Sequence, residues 1–328
     1  METRNILSLA RSGHVAVREQ ALPPLEPGMV LIRSYASGIS AGTELGGFVG
    51  KSRPESMEEP WRNFGYQAAG VVEAVGEDVT QFAVGDRIAG MGANYALHAD
   101  RVLVPQNLCV ALADSVSFTD AAFVALGATA FQAVRRGEVV FGESVGIWGL
   151  GMLGQFVAQV CHAAGAHVAG HDPAEKRRTL APLSDEKSVG PLDAAFLCFG
   201  GEASNALKEI ISHMRQAPDT HRSGRIVLVG GATVTHGFGA ALGNLELRSA
   251  ARTGPGYHDK AWERGADYPS VFIRWDTQTH LKLFVQWLAE GKFNLTGLYQ
   301  TVGLSEAPTT CYALMDRQAE HLGVVIEY

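Results

Sequence analysis

Gly149, Gly151 and Gly154 stand in a G-x-G-x-x-G spacing, with Met152 and Leu153 inside it. What the spacing does depends on its flanks. Ser144 to Trp148 is a short apolar run of strand type. Gln155 to Ala164 repeats Phe156, Val157, Val160 and Cys161 at helical spacing, and Gly165 is placed to close that helix. Ala166 to Gly170 is a second apolar run, ending at His171-Asp172. The order strand, glycine turn, helix, strand, acid suits a dinucleotide. Gly149 permits the tight turn, Gly151 lets a pyrophosphate approach the backbone, and Gly154 lets the helix pack on the strand. The helix start then offers N–H groups and a positive dipole end to the phosphates. Asp172, 18 residues beyond Gly154, is spaced to accept hydrogen bonds from the adenosine ribose. Its charge opposes a 2′-phosphate, so NAD is the expected cofactor over NADP, a preference that Arg177 and Arg178 moderate.

A parallel sheet must hold these groups. Asp193 to Phe199 and Arg225 to Val229 are further buried runs, and Leu245 to Ala250 completes the sheet. Helices are expected over Ala174 to Ala181 and Ser204 to Met214, with a strand stub at Ser188-Val189 and a polar loop over Gln216 to Ser223. The fold class is α/β, with a doubly wound parallel sheet. Phe199-Gly200 and Gly230-Gly231 fall at carboxyl ends of its strands, where open sheets bind ligands, which makes them cofactor-loop residues. The first 112 or so residues differ. Val15 to Gln20, Met29 to Ser37, Ala68 to Val75 and His98 to Pro105 are short strand-like runs between Pro/Gly turns, as in a small β barrel. Phe118 to Arg136 is helical, capped by Ser117 or Thr119, and Thr277 to Glu290 is a helix with Thr277 as cap. Gly323 to Ile326 is a last strand, expected to return to the first domain.

Composition bounds the partners. At 328 residues, two domains are favoured. The net charge of -7, without a basic run, argues against nucleic acid or an anionic membrane as partner and leaves a small-molecule substrate. Cysteines 109, 161, 198 and 311 are scattered in largely apolar surroundings, the pattern of reduced thiols in a cytoplasmic protein. Neither a signal-peptide core nor an apolar run of membrane-spanning length is present in the sequence.

Three further blocks carry a resemblance: Gly38-Ile39-Ser40-Ala41-Gly42-Thr43-Glu44, Gly65-Tyr66-Gln67-Ala68-Ala69-Gly70-Val71-Val72 and Val84-Gly85-Asp86-Arg87-Ile88. With the glycine fingerprint and Gly291-Lys292, they resemble the medium-chain dehydrogenase/reductase superfamily over nearly the whole chain. Ile39 to Glu44, Tyr95-Ala96, His98-Ala99 and the short path from Asp172 to Asp193 look like the branch of bacteriochlorophyllide hydroxyethyl dehydrogenases and related proteins. The resemblance implies a GroES-like, β-rich catalytic domain over 1–115 and 255–328, with a Rossmann domain inserted over 116–254. It also implies nicotinamide-dependent alcohol oxidation or carbonyl reduction, and a homodimer paired through the edge strand near Leu245 to Ala250.

The chain departs from the zinc-binding members. Where they place a cysteine, the first block has Ser40 and Ala41. Where they place His and Glu, the second has Tyr66 and Gln67. Phenol and amide are poor zinc ligands, so no zinc is expected. Without a Lewis acid, hydrogen-bond donors and a proton relay must serve the reacting oxygen. By position, the resemblance makes Tyr66, Glu44, His98 and Thr43 the catalytic candidates. Ser40, Gln67 and Tyr257 become substrate contacts, and Thr129 packs beside the nicotinamide. For each residue a plain structural role stands beside the functional one. The expected activity is a zinc-independent NAD(H)-dependent dehydrogenase interconverting a secondary alcohol and a ketone on a polar, even polyhydroxylated, substrate. A zinc-free quinone or enoyl reductase and a catalytically silent nucleotide-binding protein are the alternatives.

Overall fold

The computed structural model describes residues 2–51, 60–185, 187, 189–237, 239, 242–316 and 321–328. It divides into two compact units, Met1–Ala128 with Gly254–Tyr328, and Thr129–Thr253. In chain order the first unit contributes β1 (Thr3–Ala10), β2 (Val15–Ala21), β3 (Met29–Ile39), β4 (Trp61–Asn63) and β5 (Gln67–Val75). It continues with β6 (Arg87–Met91), β7 (Arg101–Pro105), β8 (Cys109–Ala111) and α1 (Phe118–Ala121). The unit boundary falls inside α2 (Val124–Gly137). The second unit holds β9 (Ser144–Trp148), α3 (Met152–Ala163), β10 (His167–His171), α4 (Glu175–Leu180) and β11 (Ala194–Leu197). Then come β12 (Gly201–Glu202), α5 (Ser204–His213), β13 (Ser223–Leu228), β14 (Ala232–Thr233) and β15 (Asn244–Ser249). The return segment adds α6 (Lys260–Glu263), α7 (Thr277–Ala289), β16 (Tyr299–Gly303), α8 (Ala307–Met315) and β17 (Gly323–Glu327).

In unit 1, β3 is the axis of the larger sheet, pairing with β5, β7 and β17. Val30, Ile32, Tyr35 and Ile39 give it β-branched and aromatic content. Its register against β5 shifts between Ser34 and Ala36, and past that bulge Ala36 and Ser37 are both buried. Gly70 faces this irregularity. A Cβ there would lie 2.0 Å from the Arg33 carbonyl oxygen, which is why the strand needs glycine. The tail strand β17 runs antiparallel to β3, with Ile326 opposite Ser37. The expected return of the chain end to the first domain is thus a strand pairing. Ile39, Leu45, Phe64, Val324 and Ile326 share one buried cluster with Cys311 and Met315 of α8. Each large apolar side chain in it contributes about 1.5–3 kcal/mol by burial, and together they clamp the end of β3 and the turn after it.

Unit 2 is a five-stranded parallel sheet in the order β10-β9-β11-β13-β15. Among the described residues this is the doubly wound order 3-2-1-4-5-6 without its third strand. The short path after Asp172 accounts for this. Its described residues include α4 and an extended piece that covers the outer edge of β10, where Ser184 N–H donates to the Val168 carbonyl at 2.9 Å and Ser184 Oγ accepts from Val168 N–H at 2.8 Å. β15 forms the opposite edge.

Several boundaries move from their sequence positions. Residues 116–128, placed in the Rossmann domain by the resemblance, fall in unit 1: Gly38 lies against Ala122 and Phe123, and Gly127 against the Phe284 ring. His98 precedes the strand expected to contain it, because Gly92 (φ +127°) opens a turn that delays β7 until Arg101. The cap of α7 is Asp276, whose carboxylate accepts from Thr279 N–H, rather than Thr277. Ser188 of the expected strand stub lies outside the described residues, and Val189 is irregular. All four cysteines are free, with thiol pKa values raised by burial. No described helix is long and apolar enough to cross a membrane.

Candidate active site

The glycine turn of unit 2 has a separate geometric reason for each glycine. Gly149 sits at φ +90°, and its N–H donates to the His171 carbonyl at 2.8 Å. A Cβ on Gly154 would stand 1.9 Å from the Gly149 carbonyl oxygen, so only glycine lets α3 start this close to the end of β9. At Gly151 nothing lies within 4 Å of a Cβ position, which leaves open space against the backbone. α3 begins at Met152, earlier than its apolar periodicity suggests, and no side chain caps it. Its first N–H groups are therefore left for an anion. Met152 is buried and Leu153 half-buried beneath this opening. The residues fit a dinucleotide pyrophosphate.

Asp172 is bound into that turn more tightly than its sequence position implied. Oδ2 accepts from Leu150 N–H at 2.9 Å and Oδ1 from Ala174 N–H at 2.9 Å, with Arg177 Nη1 3.4 Å from Oδ2. Arg178 donates to the Asp172 carbonyl. The carboxylate thus staples the glycine turn to the end of β10. Phe199, Gly200, Gly230 and Gly231 follow β11 and β13 at the carboxyl edge of the sheet. There Gly201 N–H donates to the Gly231 carbonyl, and β12 pairs with β14. Thr129 is half-buried in α2. Replacing Asp172 by Asn removes one charge from this rim while keeping its size. The expected result is a shift of about tenfold in relative affinity toward the 2′-phosphorylated dinucleotide, the size of one charge interaction near a surface. Fluorescence titration with NADH and NADPH checks it, and an unchanged ratio would remove Asp172 as the discriminating group.

Unit 1 gathers a second set of polar groups. The wide turn Ala41–Leu45 starts at Ser40, and Glu44 Oε2 reaches back to accept from Ser40 N–H at 2.6 Å. Glu44 Oε1 lies 3.1 Å from His98 Nε2. His98 is fully buried, edge-on to Phe64, with its Nδ1 2.8 Å from Ser37 Oγ. Ser37 Oγ lies 2.8 Å from the Tyr328 hydroxyl. The Tyr66 hydroxyl bonds to the Ser40 and Thr43 side chains. Burial first, and Glu44 second, push its pKa well above the usual phenol range. Tyr66 therefore keeps its O–H at neutral pH and can donate it.

Five of the sequence candidates thus converge: Ser40, Thr43, Glu44, Tyr66 and His98. Tyr257 stands near Tyr66, its hydroxyl accepting from Ala93 N–H at 2.7 Å and its ring stacked on His258. Gln67 does not present its amide to a ligand. Its Nε2 donates to the Gly38 carbonyl at 3.0 Å and its Oε1 accepts from Leu126 N–H at 3.3 Å, which ties β3 and β5 to the start of α2. Sequence reasoning missed Ser37 and Tyr328. A polar residue inside the buried run of β3 was the available signal for Ser37, and nothing local marked Tyr328.

The donor set is unsuited to zinc. A hydroxyl, a phenol and a spent amide occupy the ligand positions, and both ring nitrogens of His98 already have partners. Among the described residues, no group of three or more His, Cys, Asp or Glu side chains could hold a metal ion.

Fold and site together define a two-unit protein with a β-rich domain that carries an acid–imidazole–phenol cluster and a second domain with a parallel sheet whose glycine turn has room for a pyrophosphate. Residues 26–166 match the alcohol dehydrogenase GroES-like domain family. The chain is 27% identical to the (R,R)-butanediol dehydrogenase of Bacillus subtilis over 44% of its own length and 50% of that enzyme's. It spans only 5% of a highly reducing polyketide synthase of Cryptosporiopsis, 37% identical over 130 residues. Its fold matches an oxidoreductase/dehydrogenase of unknown specificity from Escherichia coli over 99% of both chains, with a TM-score of 0.78 at 16% identity. It also matches a zinc-binding dehydrogenase of Sinorhizobium meliloti, bound to NADP, with a TM-score of 0.73 at 18% identity over the full length of both chains. The family match covers less than half of the chain, and over its whole length the chain has the fold of these two-domain dehydrogenases.

Proposed function

We propose that the chain is a zinc-independent, NAD(H)-dependent dehydrogenase that interconverts a secondary alcohol and its ketone on a polar substrate. One observation carries this reading: Glu44, hydrogen-bonded to the buried His98, lies beside a Tyr66 phenol that keeps its proton. Gly149, Gly151, Gly154 and Asp172 would hold a nicotinamide dinucleotide, which would supply or take up the hydride. Tyr66 donates its O–H to the substrate oxygen, replacing the polarisation that zinc would give. Glu44 accepts the alcohol proton in oxidation and returns it in reduction. Ser40 and Thr43 orient the Tyr66 hydroxyl and favour a hydroxyl-bearing substrate. The Asp172 charge beside the glycine turn supports NAD over NADP. Two copies pair through β15, the edge of the second unit's sheet.

Screening alcohols with NAD and ketones with NADH, followed in the reduced-cofactor absorbance band, tests the reaction class. Turnover confined to quinones or enones would replace it with a double-bond reductase. Tight NADH binding without any turnover would leave a silent nucleotide-binding protein. Stoichiometric zinc on metal analysis would overturn the zinc-free reading. A monomer by light scattering would remove the β15 pairing.

A further inference from the structure

Four groups from four separate segments form one unbroken line: Tyr328 Oη, Ser37 Oγ, the two nitrogens of His98, and Glu44 Oε1. The links are 2.8, 2.8 and 3.1 Å. Ser37 and His98 are fully buried, and Glu44 is nearly so. No member belongs to the glycine fingerprint, and two of the four have no part in the reaction proposed above.

The direction of this line follows from counting hydrogens. Glu44 as carboxylate only accepts, and its Oε2 is already taken by Ser40 N–H. His98 Nε2 must then carry the proton that faces Oε1. A neutral imidazole protonated at Nε2 has a bare Nδ1, which accepts from the Ser37 hydroxyl. Ser37 has one hydrogen and has spent it, so it accepts from the Tyr328 O–H. Each donor therefore points toward Glu44. The antiparallel pairing of β17 on β3 brings Tyr328 to Ser37, and Tyr328 N–H donates to the Tyr35 carbonyl at 3.3 Å.

We propose that Ser37 and Tyr328 are positioning residues, which through His98 fix the order of this hydrogen-bond line and hold Glu44 as the proton acceptor of the reaction. The proposal rests on the dehydrogenase reading for its kinetic consequence and on geometry alone for the hydrogen-bond order. Without the Ser37 hydroxyl, the buried Nδ1 loses the O–H that donates to it, and the two imidazole tautomers come closer in energy. Glu44 Oε1 then lacks a fixed N–H donor. The other groups that face Glu44 leave this argument in place. Tyr66, Tyr328 just past β17, and Cys311 on α8 all feel its charge, and each has a pKa raised by burial, so each stays neutral. Asp100 acts on Tyr328 and also favours its neutral form.

Ser37→Ala should lower kcat/KM for alcohol oxidation by about tenfold, the effect of one lost buried hydrogen bond. Tyr328→Phe should lower it by less. Ser37→Thr, which keeps the hydroxyl, should restore the wild-type value, and dinucleotide affinity should be unchanged throughout. A wild-type kcat/KM in both Ser37→Ala and Tyr328→Phe would overturn the proposal. A readout independent of turnover is the 15N spectrum of histidine-labelled wild-type protein. A neutral Nε2-protonated His98 supports the order above, while an Nδ1-protonated or doubly protonated ring overturns it. If the wild type turns over no alcohol or ketone, the dehydrogenase reading fails, and this spectrum still decides the hydrogen-bond order.

Discussion

Replacing Glu44 by Gln should lower kcat/KM for alcohol oxidation by about 10²–10⁴-fold, the range that a positioned acid or base contributes. The substitution keeps the size of the side chain and removes its basicity. It also breaks a local pattern. Two donors, Ser40 N–H and His98 Nε2–H, converge on the two carboxylate oxygens. Glutamine offers one acceptor and one NH₂, so one of the donors meets another donor. Leaving a buried group unsatisfied costs about 1–3 kcal/mol, or else His98 switches tautomer and the line to Ser37 reverses. Dinucleotide affinity should not change, because the glycine turn lies in the other unit. Stopped-flow and steady-state measurements with the best alcohol from the screen decide the matter. Activity within a few-fold of wild type would remove Glu44 as the proton acceptor and leave it as the clasp of the Ala41–Leu45 turn.

The second large effect is expected at Gly154. A methyl group there would stand 1.9 Å from the Gly149 carbonyl oxygen, a backbone atom that no rotamer change moves aside. Gly154→Ala must push the start of α3 away from β9. The open space beside Gly151 is then lost, and NADH affinity should fall by at least about 100-fold, or roughly 2.7 kcal/mol. Overpacking of this kind also costs about 1–3 kcal/mol of stability. Gly151→Ala separates the two effects. Its Cβ meets nothing within 4 Å, so the fold should keep its melting temperature while a bound pyrophosphate is crowded out. Calorimetric titration beside thermal melts of both variants gives the comparison. A Gly151→Ala protein that binds NADH as well as wild type would show that the phosphates do not approach the backbone at that glycine.

The contrast between these two sites shows what the linear chain makes legible. The dinucleotide turn is local. Its glycines, helix and acid lie within one βαβ stretch, so spacing alone carries the geometry, and Ser144–Trp148 is the strand that its apolar run predicts. Even there, spacing did not reveal that Asp172 spends both oxygens on Leu150 and Ala174. That depends on how closely the end of β10 approaches the turn. Gln67 is a similar case. Its place in a motif suggested a ligand contact, and its burial among backbone groups of β3 and α2 makes it a tie. The short path from Asp172 to Asp193 fits the five-stranded order seen among the described residues, because few residues remain there to build a further strand and its crossover.

By itself the sequence determined the βαβ unit, the α/β class, the absence of zinc-type ligand residues from the expected blocks, and the presence of Tyr66, Glu44 and His98 in motif positions. These are matters of residue type and short-range spacing, which periodicity and turn chemistry transmit directly. The tertiary structure alone decided that Glu44 meets His98 across 54 residues, and that Ser37 meets Tyr328 across 291. Those contacts depend on the register of β17 against β3 and on the delayed start of β7 after Gly92. Register is set by burial of whole faces, a collective property of the sheet that no local window contains.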